Sequence, residues 1–91
     1  MFAVTRLRAA APDVPGLLAD ATALLDLLRG RPGFRDGQLG RSTDDPGLLA
    51  LWTSWDGVGS YRRALGAPQV KIAGAPVWRY AVDEPGAYLT D

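Results

Sequence analysis

The chain has 91 residues, with ten basic and ten acidic side chains that cancel. That length makes one domain, and the balanced, scattered charge argues against a nucleic-acid binder, which would present a basic face. There is no Cys, His or Asn, which excludes disulfides, thiolate nucleophiles, cysteine metal sites, an imidazole base and a proximal haem histidine.

Any chemistry must therefore come from Arg, Asp, Glu, Tyr, Trp, Ser, Thr, Gln, backbone groups or the substrate itself. No metal or organic cofactor is expected. Both G-x-x-x-x-G-K and G-x-G-x-x-G are missing, which disfavours nucleotide cofactors. No run reaches the roughly 18 apolar residues of a membrane span, and no charged segment followed by an apolar core opens the chain. A cytoplasmic protein without membrane contact is the expectation.

Phe2 to Arg8 is short, partly β-branched and closed by Ala9-Ala10-Ala11-Pro12, so it reads as a first strand. Asp13 is a candidate N-cap and Pro15 suits a first helical turn. Leu17, Leu18, Ala21, Leu24, Leu25 and Leu28 then recur at helical spacing, and Gly30 and Pro32 end the helix. The arginines at 29, 31 and 35 fall on this helix end and the loop after it, and read as a solvated connector.

Phe34 to Ser42 is polar and glycine-rich for a strand, and Gly37 and Gly40 suggest a bulge or a bent edge. A Thr43-to-Gly47 turn leads to Leu48–Trp55, a nearly continuous apolar strand that expects burial on both faces. Asp56 can cap a weaker helix carrying Val58, Tyr61 and Leu65, which Gly66-Ala67-Pro68 interrupts. Gln69 to Gly74 adds one or two turns, and Ala75-Pro76 ends them. Val77 to Asp83 reads as the last strand, so the core spans residues 2–83 and a tail covers 84–91. Asp44-Asp45-Pro46-Gly47 and Asp83-Glu84-Pro85-Gly86 form a weak internal echo, readable simply as two acidic turns.

The order β, α, β, β, α, β gives a ferredoxin-like α+β fold: a four-stranded antiparallel sheet with both helices on one face. A chain this short buries only roughly 60–65% of its unfolded surface. Two helices cover one face of the sheet, so the second face of the apolar third strand needs a partner, and a homodimer is expected. Trp52, three positions before Trp55, faces that second side.

Arg31-Pro32-Gly33-Phe34, the strand ending Thr53-Ser54-Trp55-Asp56, and Tyr61-Arg62-Arg63-Ala64-Leu65 together resemble the antibiotic biosynthesis monooxygenase family. The resemblance covers roughly residues 2 to 83. It implies a dimeric α+β barrel in which two sheets pack face to face. It also implies a cofactor-free monooxygenase acting with molecular oxygen on a small aromatic polyketide-type molecule such as an anthrone, phenol or quinol. In the family's haem-degrading branch a histidine would fall near Gly74, a tryptophan near Ala64 and an asparagine near Thr5, and all three are replaced. In the cofactor-free branch the matching positions are Trp55, Tyr61 and Arg79. That branch's asparagine falls on Leu51, with Gln38, Thr53 or a backbone group as substitutes.

These positions give Trp55, Tyr61 and Arg79 as candidate catalytic residues and Phe34, Thr53 and Leu51 as candidate pocket lining. Trp55 is either a stacking wall for a planar substrate or a core plug. Tyr61 offers a hydroxyl but also belongs to the apolar stripe of its helix. Arg79, in the middle of the apolar run V-W-R-Y-A-V, needs a partner because a lone buried charge is costly. Asp36, Asp56 or an anionic substrate oxygen would serve. Arg62 and Arg63 read as solvated. Two other functions fit the same residues: a non-oxidative polyketide cyclase or isomerase, and a non-catalytic dimeric binder of an aromatic molecule.

Overall fold

The computed structural model describes residues 1–91. Strand β3 (Leu48–Trp55) organises it: Leu49, Leu51, Thr53 and Trp55 are buried on one face, while Leu48, Ala50, Trp52 and Ser54 are only half-buried on the other. This is the period-two alternation of a strand covered on one side. On its two edges β3 pairs antiparallel with β1 (Phe2–Arg8) and β2 (Phe34–Arg41). Against its covered face packs α1 (Val14–Arg29), which follows a short 3₁₀ turn at Ala11–Asp13.

Leu17, Ala21, Leu24, Leu25 and Leu28 form the buried stripe of α1, each fully buried leucine contributing roughly 1.5–3 kcal/mol. Asp13 occupies the N-cap position but its side chain makes no capping bond. The irregularity expected at Gly37 and Gly40 lies instead between Phe34 and Asp36, where the register shifts; Gly37 and Gly40 pair regularly with Thr53 and Ala50.

After β3 come α2 (Val58–Gly66) and α3 (Pro68–Trp78), broken at Ala67. Gly57, not Asp56, is the N-cap of α2, and the Asp56 carboxylate accepts instead from Arg35 Nε at 2.6 Å. The fourth strand, β4, is the pair Ala87–Tyr88, which joins the free edge of β1 through Phe2↔Tyr88 and Ala3↔Ala87. The sheet order is β2-β3-β1-β4, the ferredoxin-like antiparallel arrangement expected from the sequence.

The expectation of a last strand at Val77–Asp83 is corrected. Helix α3 continues through Pro76 to Trp78. Val70, Gly74 and Val77 form its buried stripe, and it packs along α1. A proline inside a helix forfeits a hydrogen bond, but Val77 is fully buried just beyond it, and that burial holds the last turn in place. Gly74 is needed there because a Cβ would collide with the Trp78 indole. Of the supposed strand, only Ala81 bridges the sheet, opposite Leu7. Residues 84–91, read as a tail, carry the fourth strand.

The acidic echo is a structural one. The Gly47 carbonyl accepts the Ala9 N–H at 2.9 Å and the Gly86 carbonyl accepts the Val4 N–H at 2.7 Å. Asp45 accepts from Arg8 at 2.9 Å and Glu84 from Arg6 Nε at 2.7 Å. Each acid-Pro-Gly turn thus docks on β1 in the same way. These exposed arginine hydrogen bonds hold both carboxyls below their ordinary range.

Candidate functional site

The row of side chains that β3 aims at the helices ends in an aromatic cluster. Trp55 is 1% exposed, and its indole Nε1 donates to Thr53 Oγ1 at 2.9 Å. Phe34, across the β2–β3 ladder, meets the Trp55 ring edge-on at 5.2 Å and 87°. Tyr61, one turn into α2, meets it at 6.0 Å and 62°. Leu51 is buried two positions before Thr53 on the same row. The structure therefore brings together five of the six candidate residues: Phe34, Leu51, Thr53, Trp55 and Tyr61.

The sixth, Arg79, stands elsewhere. It caps the C-terminal end of α3, is exposed, and donates to the hydroxyl of its own neighbour Tyr80 at 2.9 Å while lying 4.9 Å from that ring's centre. The Tyr80 carbonyl accepts the Arg8 N–H, whereas the Trp55 N–H bonds to the Met1 carbonyl. Arg79 and Trp55 thus attach to opposite ends of β1, roughly 20 Å apart at ~3.3 Å per strand residue. They cannot share one small ligand. The expectation of a buried strand arginine paired to Asp36, Asp56 or substrate is corrected: helix α3 runs past Pro76 and places Arg79 at a solvated helix end.

The local fold holds α2 to the cluster. Gly33, in the turn after α1, has φ +86° and lies directly against Ser60 of α2. Its carbonyl accepts the Asp56 N–H at 2.8 Å. With the Arg35–Asp56 contact, this fixes where α2 begins. The spacing i, i+3, i+4 then puts Val58, Tyr61 and Arg62 on one side of the helix.

That side faces a cavity of about 240 Å³ lined by Met1, Val58, Tyr61, Arg62, Ala87, Tyr88 and Leu89. Tyr61 is the one expected site residue that reaches it. Trp55 presents no open face there and stands behind Tyr61 as packing. Burial pushes the Tyr61 phenol up from its ordinary value, so near neutral pH the group is a protonated hydrogen-bond donor and not a base.

The remaining lining was not anticipated. Arg62 is exposed, as expected, and also borders the cavity; Ala87–Leu89 had read as tail, although the apolar Tyr88-Leu89 pair was a visible signal. A second, more polar groove of about 310 Å³ lies between α1 and α3, lined by Asp26, Leu27, Gly30, Arg31, Gln69 and Val70. None of the expected site residues lines it. No helix is long and apolar enough to cross a membrane.

No protein-family model and no curated protein matches the sequence. Solved structures share the fold. SnoaB, a cofactor-independent oxygenase from Streptomyces nogalater, matches with a TM-score of 0.82 at 19% identity over 99% of this chain and 90% of that one. A protein from Deinococcus radiodurans, provisionally assigned as an antibiotic biosynthesis monooxygenase, matches with 0.79 at 18% identity, over 99% and 96% of the two chains. A conserved protein from Methanosarcina mazei Go1 matches with 0.80 at 14% identity, over 94% and 84%. The fold is that of structures assigned to the antibiotic biosynthesis monooxygenases, as the sequence resemblance implied.

Proposed function

Starting from the fold shared with a cofactor-independent oxygenase, we propose that this chain is a monooxygenase-like protein that needs no cofactor. It would act on a small aromatic polyketide-type molecule, an anthrone, phenol or quinol, held in the cavity beside Tyr61. The observation that carries this is the cavity itself: apolar and aromatic walls converge with two phenols, the usual form of a small-molecule site. Of the two, Tyr88 already donates to the Pro85 carbonyl, and Tyr61 is left as a donor.

With no His or Cys in the chain, the substrate supplies the electrons. For an anthrone, the ring methylene is oxidised to a carbonyl by molecular oxygen. One oxygen atom enters the product, and the other leaves as water with the two displaced hydrogens. The protein contributes orientation and a desolvated wall, and Tyr61 donates a hydrogen bond to the substrate oxygen, where charge develops.

The test is oxygen uptake by purified protein with dithranol, an anthrone, above the rate of spontaneous oxidation. Val58→Trp, which fills the cavity from α2, is expected to return uptake to that background. No uptake with wild-type protein on any anthrone or quinol overturns the reading.

One observation favours a second reading, a non-catalytic binder: no carboxylate or imidazole lines the cavity, so no side chain there can take a proton at neutral pH. Binding of dithranol without product would select it. A product formed without oxygen would instead indicate a cyclase or isomerase.

The uncovered sheet face completes the proposal. Phe2, Val4, Leu48, Ala50 and Trp52 lie half-buried on it, with Tyr88 stacked on Phe2 at 5.3 Å. A second copy covering this face would bury Trp52 in a dimer. Light scattering is expected to give twice the chain mass for the wild type and a monomer for Trp52→Glu. A monomeric wild type at micromolar concentration overturns the pairing.

A further inference from the structure

The cavity beside Tyr61 carries a charge imbalance. Six of its seven lining residues are hydrophobic, and the seventh, Arg62, has no carboxylate beside it in the lining. Arg6, Arg8 and Arg35 hold Glu84, Asp45 and Asp56, Arg29 donates to the Gly37 carbonyl, and Arg79 donates to Tyr80. Arg31, Arg41, Arg62 and Arg63 have no such partner, and of these four only Arg62 lines this cavity. Arg62 makes no ion pair and no side-chain hydrogen bond, and the α2 spacing places it beside Tyr61 on the wall of the cavity.

Arg62 is exposed at the rim of the cavity; a neutral ligand there would displace part of its water without replacing it, and a cationic one would add repulsion. An organic anion of the same shape offsets that loss with a charge-assisted, two-pronged hydrogen bond.

We infer that Arg62 is the specificity-determining residue of this cavity, selecting an aromatic molecule that carries an anionic oxygen, a carboxylate or an ionised enol or phenol. The inference rests on the reading of the cavity as a small-molecule site and does not depend on oxygen chemistry. The apolar walls, with Val58, Tyr61 and Leu89 among them, hold the ring system. Arg62 holds the charge at the α2 side, and the Tyr61 hydroxyl stands one helical position away as a second donor.

The test compares 2-naphthoate with 2-naphthamide, which match in shape and differ in charge. Backbone amide shifts of the full chain report both affinity and place. Naphthoate is expected to bind roughly tenfold or more tighter than the amide, with shifts at Val58–Arg62 and Ala87–Leu89. Arg62→Gln is expected to abolish that preference, chiefly by weakening naphthoate binding, while leaving the melting temperature unchanged. Arg62→Lys should restore part of the preference, and Arg63→Gln should retain all of it.

Equal binding of the two probes by wild-type protein overturns the inference. So does an unchanged preference in Arg62→Gln, or shifts confined to the Asp26–Gln69 groove. Absent oxygen uptake with the preference intact would remove the oxygenase reading alone.

Discussion

Replacing Trp55 with alanine is expected to cost about 3–5 kcal/mol of folding stability, a large share of the 5–15 kcal/mol, roughly, that holds a small domain together. Trp55 is the largest of the fully buried side chains, and its loss opens the space where Phe34 and Tyr61 meet it edge-on. For a domain of this size that means a melting temperature lower by roughly 12 °C or more, readable by denaturant titration.

Thr53→Val separates the polar part of the same effect. It keeps the side-chain volume and removes the acceptor for the indole N–H, stranding a buried donor at about 1–3 kcal/mol. If Trp55 were instead a wall touching ligand, the alanine variant would keep its stability within about 1 kcal/mol and lose only ligand affinity. That outcome would sink the account of Trp55 as packing.

The second large effect is expected at Gly33. An alanine there would sit at φ +86°, a left-handed conformation that costs roughly 1–2 kcal/mol for a residue with a Cβ. The new methyl group would also collide with Cβ and Oγ of Ser60. Overpacking of that kind costs about 1–3 kcal/mol, for a total of roughly 2–5 kcal/mol by denaturant titration.

The two parts can be told apart. Ser60→Gly in the Gly33→Ala background removes the collision and leaves the backbone strain, so it should recover about half of the loss. Because Ser60 lies on α2, the single variant also displaces Val58, Tyr61 and Arg62 from the cavity. Full recovery by Ser60→Gly would show that strain at position 33 contributes nothing.

Much of the fold could be read from local pattern. The leucine stripe of Leu17–Leu28 gave α1 through its helical spacing, and Leu48–Trp55 gave β3 as a short apolar run behind a turn cluster; the one-sided burial of β3 is seen only in the fold. The tail end could not be read the same way. Val77–Asp83 looks like a strand because Pro76 precedes it and because Val77, Arg79 and Ala81 alternate with Trp78, Tyr80 and Val82. The competing signal, Val70, Gly74 and Val77 at helical spacing, wins because α1 offers a surface for that stripe, a tertiary fact with no local trace.

The true fourth strand has two residues. A pair so short has no periodicity to detect, and it forms because Gly86 and Glu84 anchor it to β1. The site inherits the same division. The Trp55 cluster was legible through the family resemblance, while the cavity wall built by Ala87–Leu89 became visible only once the chain's end was folded back beside α2. Arg79 lost its expected place in the sheet for the same reason.

The short β4 has a consequence for how such a protein can change. The cavity has one wall on α2, whose position is locked to the core through Gly33, Asp56 and Trp55, and an opposing wall on Ala87–Leu89, whose residues are all exposed. Substitutions of the half-buried Val58 and Tyr61 on the first wall are coupled to folding. Those on the second are nearly free of it, so ligand size and shape can drift by changes in three residues while the rest of the chain stays under a separate constraint.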